Sequence, residues 1–278
     1  MTTNAKDARD RYLEDGACLI EAVLDTASIE TLKDVIADLN GQAPQAASSV
    51  QPFLAKDGTQ VVKYDGGLYV EYLSRNVSKL RDFLRNSRIP QIVCDILDAD
   101  KATFWRDEVH LKSGGSSTNA TPWHHGIGSF PFKGEDVLTL WMPLTPVSIE
   151  DGPLRTIRGS HRVLDRRYRP PTRAAQSGVG SHLYCDVPDF DRLSQEDQVE
   201  VVTWTMAPGD ALAFHPYTVH SSLPNIGPRD RIAYNSRWLG RDARYEPDVY
   251  SVAEPELGEE VIVEGLPDNA SFPTFMRM

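Results

Sequence analysis

A chain of 278 residues sits at the upper edge of what one hydrophobic core serves, so a single domain spanning 1–278 is expected. Its 40% hydrophobic and 25% charged residues suit a soluble globular protein, and 40 acidic against 29 basic residues (net charge −11) argue against a nucleic-acid polymer or an anionic membrane as partner. Apolar runs are too short to span a bilayer, Met1–Asp7 lacks the apolar centre of a secretion signal, and Cys18, Cys94 and Cys185 are too scattered for a disulfide framework or zinc ribbon; a reducing cytoplasm is the expected setting.

Residues 1–100 read as a helical N-terminal part. After Asp25 and Thr26, either a natural N-cap, the apolar residues Ile29, Leu32, Val35, Ile36 and Leu39 recur at helical spacing. A second amphipathic stretch carries Val77, Leu80, Phe83 and Leu84. A third opens near Pro90 and holds Ile92, Val93, Ile96 and Leu97.

From about residue 101 the pattern changes to short strands divided by Gly and Pro. The candidates are 102–111, 137–144, 201–205, 211–214 and 231–239, with turn signals at Asp151-Gly152-Pro153 and Pro208-Gly209-Asp210. The chain is therefore expected to be mainly β with N-terminal helices, its 101–240 core forming a double-sheet jelly roll whose mouth can hold a metal. Residues 165–197, rich in Arg, Pro, Ser and Asp, read as an insertion or lid, and 241–278 as a C-terminal tail wrapping the surface.

Of the seven histidines, most are expected to be ordinary polar or core residues. His124 has notable company. It follows Thr121-Pro122-Trp123 and precedes a strand running from Val137 to Leu144, then Asp151-Gly152-Pro153-Leu154, Gly159-Ser160-His161-Arg162 and Pro208-Gly209-Asp210. His220 comes next, with Arg231 eleven residues beyond it. In this order and spacing, residues 10–240 resemble the phytanoyl-CoA dioxygenase family of Fe(II)/2-oxoglutarate oxygenases. The resemblance implies a double-stranded β-helix, a cupin-like jelly roll with added N-terminal helices. It implies His124 and His220 as metal ligands, and Arg231, supported by Ser222, as the grip on the far carboxylate of 2-oxoglutarate. Lys63 is expected to add a second cation to that co-substrate. Trp141 either lines the same pocket or fills the core. His161 belongs to a turn and is given no metal role.

The family's third ligand is an aspartate two residues after the proximal histidine. Here that residue is Gly126, which has no side chain to bind with. Two histidines and a carboxylate are the usual frame for non-haem Fe(II), and losing the carboxylate removes one negative charge and opens a coordination position. Three consequences compete: the position takes a halide, as in aliphatic halogenases that resemble this family; water or another side chain fills it and the enzyme hydroxylates; or the fold binds a ligand without chemistry. Retention of His124, His220, Ser222 and Arg231 favours the halide. The cofactors expected are then Fe(II), 2-oxoglutarate, O2 and chloride, with chlorination of an unactivated C–H in natural-product biosynthesis. His125 and Ser129 are candidates for placing the oxygen or halide by hydrogen bonds. Glu108 and His110, on one face of a strand, are alternative ligands outside the family's metal positions.

The substrate is the least legible part. Arg155, Arg158, Arg162, Arg166, Arg167, Arg169 and Arg173 form an arginine run in an acidic chain. It reads either as a solvated face paired with nearby acids, or as an anion receptor at the pocket mouth. In the second case the partner is a small phosphorylated metabolite, such as a nucleotide, or an acyl group on an acidic carrier protein.

Overall fold

The structure is a computed structural model and describes residues 5–43, 51–162, 168, 184–247, 251 and 273–277. Its first part contains helix α1 (Ala5–Asp15), strand β1 (Ala17–Ile20), α2 (Thr26–Gln42), strands β2 (Gln51–Leu54), β3 (Gln60–Tyr64) and β4 (Gly67–Glu71), then α3 (Leu73–Asn76), α4 (Ser78–Asn86) and α5 (Ile89–Leu97). The long strand β5 (Lys101–Lys112) follows, with β6 (Thr121–His124), a 3-10 turn at Gly126–Gly128, β7 (Phe132–Lys133), β8 (Val137–Pro143) and β9 (Leu154–Ile157). Helix α6 (Phe190–Gln195) precedes β10 (Val201–Thr203), β11 (Ala211–Phe214), β12 (His220–Ser222), β13 (Arg231–Leu239), β14 (Arg244–Tyr245) and β15 (Thr274–Met276).

Two antiparallel sheets build the body. The larger runs β1-β11-β8-β13-β5-β4-β3-β2, with β15 added beside β5; the smaller runs β10-β9-β12-β6. This is the expected double-stranded β-helix. Side chains alternate across the large sheet because successive residues of a strand face opposite ways. Leu138, Leu140 and Met142 of β8, Ala211 and Ala213 of β11, and Tyr234 and Trp238 of β13 turn toward the helices, meeting Leu32, Ile36 and Leu39 of α2 and Val93 and Ile96 of α5. Their neighbours Trp141, Leu212, Phe214 and Ala233 turn inward and pack with Leu154 of the small sheet.

The helical expectations are met locally. The Asp25 side chain accepts from the Ser28 backbone N–H at 2.8 Å and caps α2, and Pro90 occupies the first turn of α5. The reading of residues 1–100 as helical needs correction, because β1 to β4 belong to the large sheet. β1 pairs with β11 at one edge, and β4 pairs with β5 to extend the other. These strands have four or five residues each, too few for period-2 alternation to stand out among amphipathic helices. Their clearest signal is Asp65-Gly66, a two-residue hairpin loop between the paired Tyr64 and Gly67, with Gly66 at φ +80°.

The inserted segment 165–197 lies mostly outside the described residues, apart from Tyr168 and the stretch holding α6; of the 241–278 tail, β15 joins the large sheet. No helix among the described residues is long and apolar enough to cross a membrane. Leu32, fully buried between α2 and the sheet, tests the packing. Leu32→Ala is expected to cost roughly 2–5 kcal/mol, read from urea unfolding; a loss under about 1 kcal/mol would contradict the helix-on-sheet core.

Candidate active site

The site lies between the sheets, where β6 and β12 pair. His124 and His220 are direct cross-strand partners, so they share a face, and their ring centroids are 4.2 Å apart. Next to this pair the register slips, with Ser222 opposite Thr121. That irregularity falls at Pro122, which has no N–H to give the ladder, and it brings Thr121 into the cavity beside His124. The outward residues are tied down separately. Trp123 Nε1 donates to Asp191 at 3.1 Å, and Arg155 donates to both Asp191 and Ser221 while lying 4.6 Å from the Trp123 ring.

Both imidazoles are held the same way. His124 Nδ1 is 2.9 Å from the Pro122 carbonyl, and His220 Nδ1 is 2.9 Å from that of Thr218. A carbonyl can only accept, so each Nδ1 carries the proton and each Nε2 keeps a lone pair. Burial pushes His124 down to about 4, and burial with the neighbouring His124 pushes His220 well below the ordinary histidine value. Two neutral imidazoles with free Nε2 atoms, oriented by backbone carbonyls, are what a first-row divalent metal requires.

The opposite wall comes from β5 and β13 of the large sheet. Arg231 is buried, and its Nε has no hydrogen-bond partner among the described residues; its guanidinium lies 5.3 Å from the Trp141 ring. Lys112, its cross-strand partner, donates from Nζ to Ser222 Oγ at 2.5 Å and to the Leu223 carbonyl at 3.0 Å. Burial, reinforced by Arg231, lowers the Lys112 amine to about 6, while burial lowers Arg231 to about 10. A buried guanidinium beside a buried amine that an arriving anion would help to protonate, with no carboxylate between them among the described residues, fits a bound dicarboxylate. Tyr64, raised by burial, closes this end.

A cavity of about 130 Å³ joins these parts. It is also lined by Gly126, Ser129, Phe130, Thr139, Asn235 and Arg237. Further in, Glu108 accepts from Arg237 at 2.8 Å and contacts Arg106, which also binds Glu71. Burial alone would raise the Glu108 carboxyl, but Arg106 and Arg237 hold it well below the usual carboxylate range.

The structure brings together His124, His220, Gly126, Ser129, Trp141, Ser222 and Arg231, and it corrects four readings. Lys63 is not in the cavity: it alternates with Tyr64 on β3, so its side chain faces away, and the lysine that lines the cavity is Lys112. His125 likewise faces away from its neighbour His124, and its Nε2 accepts from the Tyr168 backbone N–H at 2.9 Å, so it does not place a ligand at the metal. Glu108 is engaged by arginines and cannot replace the missing ligand; among the described residues no cluster of three His, Cys, Asp or Glu could hold a metal. Arg158 pairs with Asp15 and Glu200 on an exposed face, and Arg162 lines a different cavity with Arg9 and His161. Arg166 and Arg167 lie outside the described residues. Lys112 and Arg237 were missed although strand period reveals them: Lys112 shares a face with His110, and Arg237 with Arg231.

A double-stranded β-helix that offers two neutral imidazoles across a cavity from a buried arginine and lysine is the architecture of an Fe(II)/2-oxoglutarate oxygenase. The sequence profile for phytanoyl-CoA dioxygenase (PhyH) matches residues 12–233, and the chain belongs to that family. A probable phytanoyl-CoA dioxygenase of Caenorhabditis elegans is 26% identical over 188 residues, which is 66% of this chain but only 58% of that protein. The 1-deoxypentalenic acid 11-beta-hydroxylase of Streptomyces exfoliatus is 27% identical over 233 residues, covering 80% of this chain and 75% of the relative. Among solved structures, the epimerase SnoN in complex with Fe3+, alpha ketoglutarate and nogalamycin RO superposes with a TM-score of 0.70 at 22% identity, covering 97% of this chain and 98% of the other. The carbocyclase SnoK gives 0.69 at 20% identity, with 99% of both chains covered. At these identities the likeness is one of fold.

Lys112 yields a test that needs no cofactor. An amine of about 6 in the fold and about 10.4 unfolded means the unfolded chain binds more protons between those values. The contribution of Lys112 to stability is therefore fully present above the unfolded value and is lost as pH falls toward about 6, at no more than ~1.4 kcal/mol per pH unit. Lys112→Met should flatten the rise in unfolding free energy between about pH 6 and pH 8, measured in urea. An unchanged slope would mean that this amine stays protonated in the fold.

Proposed function

We propose that this protein is an Fe(II)- and 2-oxoglutarate-dependent halogenase that chlorinates an unactivated C–H bond of a small metabolite. The observation that carries the reading is Gly126, two residues after His124, in a cavity also lined by His220, Ser222, Lys112 and Arg231. Arg158, drawn into surface ion pairs, lends no support to an anionic substrate, so phosphate recognition and carrier docking form no part of the proposal.

His124 and His220 would hold the iron through Nε2. Arg231 and Lys112, with Ser222 accepting from Lys112, would hold the far carboxylate of 2-oxoglutarate against Trp141. With oxygen, the iron and co-substrate supply the oxidising power to remove a hydrogen atom from an unactivated C–H, leaving succinate and carbon dioxide. The protein's own task is positional. Chloride beside Gly126 restores the negative charge that a carboxylate would have given the metal. Thr139, Asn235 and His110 line the remaining wall, and the substrate carbon must be held there closer to the halide than to the oxygen ligand.

The hydroxylase named among the relatives supports a second reading, in which the same site delivers hydroxyl. Product mass separates the two. Protein reconstituted with Fe(II) and 2-oxoglutarate, exposed to air with chloride and a panel of small metabolites, should give a product with the chlorine isotope pattern. Replacing chloride by bromide should change that pattern to bromine's; hydroxylated product alone under both salts removes the halogenase assignment. Arg231→Leu should weaken 2-oxoglutarate binding by about 10- to 150-fold, the worth of hydrogen bonds to a charged group, read by anaerobic titration. Undiminished affinity would place the co-substrate elsewhere.

A further inference from the structure

Gly126 is the obvious feature of this site, but its surroundings are less simple than an opened coordination position. A methyl group on Gly126 would have its carbon 2.9 Å from Phe130 Cζ, closer than real side chains come, and 3.1 Å from Cε1, itself a tight contact. The ring of Phe130 therefore already occupies the direction in which any side chain at 126 would grow.

That ring is not free to swing. Phe130 is fully buried, and Trp105 meets it edge-on with centroids 4.8 Å apart. Trp105 is the extra residue of a bulge: Phe104 pairs with Trp238 and Arg106 with Arg237, which leaves Trp105 unpaired between them and turned toward the ring. The Arg237 guanidinium stacks 4.3 Å from the Phe130 centroid. Arg237 gives one hydrogen bond, from Nη2 to Glu108, while its buried Nε and Nη1 have no partner among the described residues. Glu108 is shared with Arg106, so two guanidinium groups flank one fully buried carboxylate.

The edge of an aromatic ring is the positive end of its quadrupole, and on this ring's face lies a guanidinium with two buried nitrogens still unpartnered among the described residues. We infer that Phe130 and Arg237, rather than Gly126 alone, decide what binds beside His124 and His220: the ring excludes a carboxylate carried by residue 126, and the guanidinium draws a small free anion into the space left. The exclusion stands on the ring contact by itself. The anion as halide rests on the halogenase reading.

Three measurements, none needing turnover, test this on the full chain. In thermal melts of the metal-free protein, Gly126→Ala should lower Tm in the wild-type background and lower it much less in Phe130→Ala; equal losses in both would overturn the contact. Mn(II), titrated anaerobically with 2-oxoglutarate present, should bind Gly126→Asp no tighter than wild type, but bind Gly126→Asp/Phe130→Ala at least about tenfold tighter, as an added ligand implies. Tighter binding in Gly126→Asp alone would refute the exclusion. Sodium chloride should tighten Mn(II) binding in wild type and not in Arg237→Gln. A chloride effect that survives in Arg237→Gln defeats the role given to Arg237. A wild type indifferent to chloride defeats both that role and the halide reading, and leaves the Phe130 contact to be judged by the melts and the Gly126→Asp pair.

Discussion

Register in the four-stranded sheet is the constraint on which the site depends. His220 of β12 lies opposite His124 of β6, and because side chains alternate, a slip of one residue would turn an imidazole out toward α6 and bring in Ser221 or Trp123. Short strands hold register poorly by themselves. Here the outward residues do it: Trp123 and Arg155 share Asp191, and Arg155 also reaches Ser221, so the outer face is clamped where the inner face must be accurate. Backbone carbonyls from Pro122 and Thr218 then fix each ring's tautomer. Each carbonyl lies two residues before the histidine it orients, so the local strand geometry that places the ring also sets its proton.

Across the cavity the large sheet contributes charge instead of ligands. Arg231, Arg237 and Lys112 come from two adjacent strands, and each is shielded from water. Burying cations is unfavourable unless something answers them. Arg237 has Glu108; among the described residues Arg231 and Lys112 have no carboxylate, only neutral neighbours: the Tyr64 hydroxyl and Trp141 ring near Arg231, and the Ser222 hydroxyl and Leu223 carbonyl that accept from Lys112. The lowered Lys112 amine is the visible consequence of that arrangement. Binding a dianion there would reverse it, since a carboxylate within hydrogen-bond reach favours the protonated amine. Part of the cost of holding this site open would thus be met only when a dianion binds there.

How far the sequence discloses all this depends on how local each signal is. The five strand assignments between residues 101 and 240 and the α2 cap were legible because Gly and Pro turn signals or capping act over a few neighbouring residues. His124, His220 and Arg231, which line one cavity, were legible through the resemblance of their spacing to a family. Lys63 misled because it was sought in a region whose strands were read as helix; once β3 is recognised, the inward-facing residue is Tyr64. The arginine run misled for a different reason. A cluster of charge is conspicuous in one dimension, but whether it meets a ligand or an acid is settled by three-dimensional partners, and Arg158 finds Asp15, far away in sequence, on the end of α1. Arg237 has the opposite character: inconspicuous in sequence, it is placed at the site by being six residues along a strand from Arg231.

Gly126 shows why a missing side chain is better understood through its neighbours than through its absence. Loss of a carboxylate alone would leave a pocket that a reverting mutation or a water could fill. In this structure the glycine, the Phe130 ring, the Trp105 bulge and the Arg237 guanidinium form one packed series, each in contact with the next. Trp105 can face the ring only because the bulge turns it there, and the ring can approach residue 126 only because glycine has no Cβ. A site that had merely decayed would have no cause to fill the lost carboxylate's direction with a buried aromatic and back it with a cation. The absence of a ligand and the presence of that wall are two sides of one arrangement, which makes residue 126 part of a cluster and not a single switch.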